Sequence, residues 1–122
     1  MILHGHCLCQ AVRFELTGPH NWVGHCHCDS CRRGAGAPVV TFIGHPNGHW
    51  RWTGAAPATF VSSPGNTRYF CATCGSSVAY SSERYPDEVH FHAALLEHPE
   101  QLDPREEYFP EERLPWHLDA SN

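Results

Sequence analysis

Gly5-His6-Cys7-Leu8-Cys9-Gln10-Ala11-Val12-Arg13-Phe14-Glu15-Leu16 carries two signals within twelve residues. From Ala11 to Leu16 apolar and polar residues alternate, so Val12, Phe14 and Leu16 share one face while Arg13 and Glu15 share the other. A period of two is the pattern of a half-buried strand. Just ahead of it, Cys7-Leu8-Cys9 sits on a predicted hairpin bend, where two thiolates one residue apart can reach a common ion. Thr17-Gly18-Pro19 ends the strand as a turn. The stretch therefore predicts a strand pinned at its start by a metal-type cysteine pair.

The rest of the chain extends that reading. Strands are expected over Trp22–Cys26, Val39–Ile43, Trp50–Thr53, Thr59–Ser62, Arg68–Phe70, Ser77–Tyr80 and Val89–Ala93. Pro46-Asn47-Gly48 and Ser63-Pro64-Gly65-Asn66 read as hairpin turns, because Asn and Gly tolerate positive φ. Only Asp29–Arg33 and Pro99–Leu102 look helical, each for about one turn. Short strands at roughly ten-residue intervals predict a mainly β fold of short antiparallel strands. At 122 residues, with no repeat and no linker, the chain reads as one domain spanning 1–122. The tail from Asp103 to Asn122 holds Tyr108, Phe109, Leu114 and Trp116, too apolar for a solvated extension. It is expected to pack across the sheet and close the core, with a cover over a substrate site as the alternative.

Composition removes several functions. All eight basic residues are arginine. Schiff-base chemistry, pyridoxal phosphate and Walker-type phosphate loops each need a lysine amine and are excluded. Residues 1–82 carry five arginines against two carboxylates, and residues 83–122 carry three against eleven, for a net −5 overall. Such a chain is a poor electrostatic match for nucleic acid. The sequence offers neither an eighteen-residue apolar run nor a basic and apolar leader, so a cytoplasmic protein with no membrane partner is expected.

Seven cysteines fall into three groups: Cys7 and Cys9, then Cys26, Cys28 and Cys31, then Cys71 and Cys74. An odd number cannot all pair within the chain, and a reducing compartment disfavours structural disulfides. Metal binding is the reading preferred. Seven is one short of two closed tetrahedral sites, and a site with three protein ligands leaves a fourth position for water or substrate. Cys26, Cys28 and Cys31 are local and self-sufficient, which suits the three-ligand role. Cys7, Cys9, Cys71 and Cys74 would then form the closed one. Spacing leaves open whether a histidine completes the second site. His25 and His27 are nearest, although strand alternation turns His27 away from Cys26 and Cys28.

Three segments together resemble one family. Residues 5–14 are similar to the opening G-x-C-x-C-G-x-V-x-F of the glutathione-dependent formaldehyde-activating (centromere protein V type) family, with Gln10 where that pattern has glycine. Cys26-His27-Cys28-Asp29-Ser30-Cys31-Arg32-Arg33 resembles its C-H-C-x-x-C-R-R/K segment, and Arg68-Tyr69-Phe70-Cys71-Ala72-Thr73-Cys74-Gly75-Ser76 its R-x-F-C-x-x-C-G-S segment. Ala94 to Pro99 and Leu114-Pro115-Trp116 resemble its later motifs, in the same order, although Ala94 and Glu97-His98 depart from them.

The resemblance implies an Mss4-like, zinc-stapled β fold with two zinc ions. Cys7, Cys9, Cys71 and Cys74 would hold a structural zinc, and Cys26, Cys28 and Cys31 a second, open and catalytic one. It implies a carbon–sulfur lyase that adds glutathione to formaldehyde, giving S-hydroxymethylglutathione or a related thiol adduct, and reverses that addition.

An open zinc site suits a thiol substrate, because zinc accepts soft sulfur and favours its ionised form. Arg32 and Arg33, next to Cys31, and Arg68, near Cys71, are candidates to pair with a substrate carboxylate. Their plainer role is to offset thiolate charge. His25, His27, His90 and His92 are the candidates for proton transfer. A zinc-stapled binding module without turnover is the alternative, since fold does not fix function.

Overall fold

The alternating stretch forms β2 (Arg13–Thr17) and buries Phe14 and Leu16, with Val12 just ahead of it, as its period requires. A computed structural model describes residues 1–117; 118–122, the end of the predicted tail, lie outside the described residues. β2 pairs antiparallel with β1 (Ile2–His6) and with β5 (Trp50–Trp52) to give a three-stranded sheet. β1 escapes the sequence reading because Ile2-Leu3-His4-Gly5-His6 has one β-branched residue and no alternation of polarity.

The second sheet has seven strands in the order β10-β3-β4-β9-β8-β7-β6. They are β3 (Trp22–Cys26), β4 (Val40–Pro46), β6 (Ala58–Ser63), β7 (Asn66–Phe70), β8 (Ser77–Ser82), β9 (Glu88–His92) and β10 (Glu106–Tyr108). All neighbours are antiparallel except β10, which lies parallel to β3. The predicted turn around Asn47 and Gly48 exists, but it is no hairpin, because β4 and β5 belong to different sheets. The turn at Ser63–Asn66 does join a hairpin, β6 to β7.

The two sheets share a core. Phe14 from the first stacks on Phe91 from the second at 4.7 Å between ring centroids, and Ile43, Val78 and Val89 close around them. Cys7 and Cys71 are part of this core. The fold is thus mainly β and antiparallel, the Mss4-like arrangement, with cysteines on its turns. One helix, α1 (Asp29–Ala35), crosses between β3 and β4. Cys28 caps its N-terminus, with Sγ accepting from the Cys31 amide at 3.3 Å. Single 3-10 turns occupy Ala93–Leu95, Pro99–Gln101 and Pro110–Glu112.

The first part of the tail packs on the sheet as expected, whereas Phe109 and Trp116 remain exposed, at 46% and 71%. β10 extends the sheet edge at β3, where the His27 amide donates to the Tyr108 carbonyl at 3.0 Å and Glu107 meets His27 Nε2 at 2.9 Å. Tyr108 also packs its ring against Trp22. Gly24 permits the pairing: a Cβ there would lie 2.5 Å from the Tyr108 ring and 2.9 Å from Glu106 Cβ. Gly24→Ala is therefore expected to loosen β10, costing about 1–3 kcal/mol by overpacking. Amide hydrogen exchange at residues 106–108 should rise well before exchange in the core strands.

Candidate functional site

The cysteines form two groups. Cys7 and Cys9 lie on the β1–β2 turn, and Cys71 and Cys74 on the turn between β7 and β8. Their four sulfurs lie within 4.8 Å of one another, with Cys7–Cys9 and Cys9–Cys71 each 3.7 Å. The β1–β2 turn is closed by the Cys7 amide donating to the Val12 carbonyl at 3.0 Å. Amides donate to sulfur too, Val12 N to Cys7 at 3.4 Å and Cys74 N to Cys71 at 3.4 Å. The Ser76 hydroxyl, 3.2 Å from Cys74 Sγ, helps to pull that thiol down to about 5.

Cys26, at the end of β3, and Cys28 and Cys31, at the start of α1, form the second group. Cys26 Sγ is 3.5 Å from both of the others. Hydrogen bonding from Cys26 holds the Cys28 thiol far below its ordinary range, and the same contact pushes Cys26 far up. Three thiols this close cannot ionise together unless a cation offsets their charge.

Both groups fit a metal ion. A tetrahedral zinc with bonds of about 2.3 Å spaces its sulfurs about 3.8 Å apart. The observed 3.5–3.7 Å is near that spacing and far from a sulfur–sulfur bond, and all seven cysteines are free. No histidine falls within either group among the described residues. His27 is buried facing Glu107, and His25 Nδ1 meets the Thr41 hydroxyl at 2.7 Å. The second group therefore has three protein ligands available and the first has four.

The three-sulfur group forms part of the wall of a cavity of about 350 Å³. Its floor comes from neighbouring strands of the large sheet: Trp22 on β3, Phe42 on β4, Tyr80 on β8 and His90 on β9. Gly44 is what lets the Trp22 indole lie across β4, since a Cβ there would sit 2.3 Å from the ring. Ser62 and Ser63 from the end of β6, with Arg84, form an exposed rim.

His90 is the histidine that faces this cavity. Its Nε2 meets Glu88 Oε2 at 2.6 Å, and Glu88 also accepts from Trp22 Nε1 at 2.8 Å and Asn21 Nδ2 at 2.9 Å. Burial lowers the basicity of His90, partly countered by the Glu88 charge. His92, one alternation further on, lies beside Phe42 outside the cavity, and burial pushes its pKa down to about 4. The sequence reading missed Glu88. The signal was present, since residues 88 and 90 of a strand share a face.

The arginines divide differently from expectation. Arg32 and Arg33 both bind Asp29, at 3.2 and 3.0 Å, and line a separate shallow surface with Leu114 and Trp116. Arg68 reaches the site instead: both terminal nitrogens lie 3.7 Å from Cys31 Sγ, Nη2 donates to the Ser30 hydroxyl at 2.7 Å, and Cζ stands 4.6 Å over the Tyr80 ring.

Residues 2–112 match the family model described as "Glutathione-dependent formaldehyde-activating enzyme". The chain belongs to this family. A relative from Halomonas elongata, whose name assigns it provisionally to glutathione-dependent formaldehyde activation, is 32% identical over 107 residues, 80% of this chain and 67% of the relative. The crystal structure of a Rhodobacter sphaeroides protein superposes with a TM-score of 0.67 at 21% identity, covering 86% of this chain and 98% of that one, a likeness of fold. The glutathione-dependent formaldehyde-activating pattern has glycine where this chain has Gln10, and Gln10 keeps a glycine-like φ of +67°. Its Oε1 accepts from Arg13 Nη2 at 2.9 Å, a local compensation. Gln10→Gly should still raise stability by about 1 kcal/mol, the strain of a side chain in that region, read as a higher melting temperature.

Proposed function

We propose that the chain is a zinc-dependent carbon–sulfur lyase that makes and breaks adducts between a small acidic thiol, such as glutathione, and an aldehyde. Residues 1–122 act as one cytoplasmic domain. Cys7, Cys9, Cys71 and Cys74 hold a structural zinc, and Cys26, Cys28 and Cys31 a second one. The observation that carries the reading is that the three-sulfur group and the Glu88–His90 pair line one cavity.

A zinc ion bound to the second group would supply a soft acceptor that favours the thiolate form of a substrate sulfur. The residues supply the rest. Glu88 takes the Nε2 proton side of His90, leaving Nδ1 as the basic nitrogen. Burial keeps the ring neutral near pH 7. In the lysis direction His90 takes the adduct's hydroxyl proton as the carbon–sulfur bond breaks. The bonding electrons stay with sulfur, the oxygen becomes the aldehyde carbonyl, and His90 then returns the proton to the thiolate. Synthesis is the reverse. Arg68 offsets the charge of the sulfur group. Arg84, exposed at the rim, suits a carboxylate of the thiol. Arg32 and Arg33 offset charge through Asp29 rather than contact substrate.

Exchange NMR between glutathione plus formaldehyde and S-hydroxymethylglutathione tests the proposal. The zinc-loaded protein should accelerate exchange, and His90→Gln should lower kcat by about a hundredfold or more with little change in KM. A zinc-loaded, folded protein that leaves the exchange rate at background would instead be a binding module.

A further inference from the structure

The cavity is larger and more apolar than formaldehyde requires. Formaldehyde has two heavy atoms and fills a space on the scale of the about 30 Å³ of a liquid water, against a cavity of about 350 Å³. Its floor is made of rings, with Phe42 and His90 buried, Trp22 and Tyr80 partly exposed, and Tyr85 exposed at the edge. His90 lies 4.7 Å from Trp22, 5.7 Å from Tyr80, 6.0 Å from Phe42 and 5.4 Å from Tyr85, centroid to centroid. Tyr108 closes against Trp22 at 5.2 Å. A peptide-like thiol such as glutathione brings amides and carboxylates, which need hydrogen-bond partners once taken from water. Of the polar groups in the lining, Asn66, Arg68 and Glu88 are already engaged, by Tyr80, Ser30 and His90 respectively, whereas Ser62, Ser63 and Arg84 lie on the exposed rim. Polar thiol and apolar floor therefore occupy different parts of the site.

We propose that the substrates of this site are adducts of an acidic thiol with aldehydes larger than formaldehyde, carrying an apolar alkyl or aryl group that lies on the Trp22, Phe42, Tyr80 and Tyr108 rings. The thiol portion stays at the rim near Arg84. This rests on the thiol–aldehyde reading above and names the electrophile class for it. Each buried methylene is worth about fourfold in affinity, and an aromatic group gains further from ring packing. His90 stands among the same rings, so the hydroxyl carbon of such an adduct would lie between the sulfur and the apolar group, within its reach.

The test is calorimetric titration of the zinc-loaded protein with S-methyl-, S-butyl-, S-hexyl- and S-benzylglutathione, stable mimics that share one thiol portion. Affinity should rise at least tenfold from S-methyl to S-butyl, with S-benzyl among the tightest. The heat-capacity change should become more negative along the alkyl series, the mark of apolar burial. Tyr80→Leu should weaken S-benzylglutathione more than S-methylglutathione, while folding is checked by circular dichroism. Affinity that is flat or falls with substituent size would overturn the inference and leave the thiol–aldehyde reading intact, with the peptide filling the cavity. No binding of any member, together with no exchange activity, would remove both.

Discussion

Cys74→Ser is expected to abolish cooperative folding. The exchange of thiol for hydroxyl is nearly isosteric, and Cys74 is only partly buried, so lost packing alone would cost under about 1 kcal/mol. The proposed closed zinc site sets a different scale. Structural zinc contributes about 10–16 kcal/mol of apparent binding free energy in small domains, against a total stability of about 5–15 kcal/mol for a typical fold. The site also ties sequence-distant turns together: Cys9 and Cys71 meet at 3.7 Å, and Cys7 and Cys71 both belong to the core shared by the two sheets. Without it, the three-stranded sheet loses a tether to the seven-stranded one. The expected outcome is loss of near-ultraviolet circular dichroism, no sharp thermal transition, and a metal content below two ions per chain. A Cys74→Ser protein melting within a few degrees of the parent would show that this group is not structural.

The division between the two groups explains what the sequence disclosed and what it withheld. Cysteine spacing is local information, so Cys7-x-Cys9, the group at 26–31 and Cys71-x-x-Cys74 could be read directly, and the sulfurs meet in the combination the count suggested. The strand with clear alternation, β2, was legible for the same reason, and β3 was placed as a short run between turn signals. β10 was not, because Glu106-Glu107-Tyr108 is acidic and short, and it becomes a strand only by pairing with β3 across 80 residues of chain. The cavity was hidden likewise. Its floor joins Trp22, Phe42, Tyr80 and His90 from four strands whose order departs from chain order, and no local pattern encodes that neighbourhood. Arg32 and Arg33 show how little adjacency says about direction. Adjacency to Cys31 in sequence suggested a role at the site, but one helical turn directs them to Asp29, three and four residues back.

Cys28→Ser should behave in the contrary way to Cys74→Ser, and the contrast is what assigns the two groups different work. Cys28 is the N-cap of α1, and its sulfur accepts from the Cys31 amide. Serine is among the best N-cap residues, so the substitution keeps the cap while removing one of three thiolates. Cys26 and Cys31 are more buried, and serine there would put a hydroxyl into the apolar cluster around Val40 and Phe42. That makes Cys28 the cleaner probe. Melting should shift by no more than the cost of a weakened metal site at the edge of the fold, and the near-ultraviolet spectrum should persist. Metal content is expected to fall from two ions per chain towards one, with adduct exchange at background. If Cys28→Ser instead unfolds the chain as Cys74→Ser does, both groups are staples, and the cavity beside Cys26, Cys28 and Cys31 is a binding surface rather than a reaction site. A protein that keeps its fold and its exchange rate without Cys28 would leave catalysis to the Glu88–His90 pair, with no part for the sulfur group.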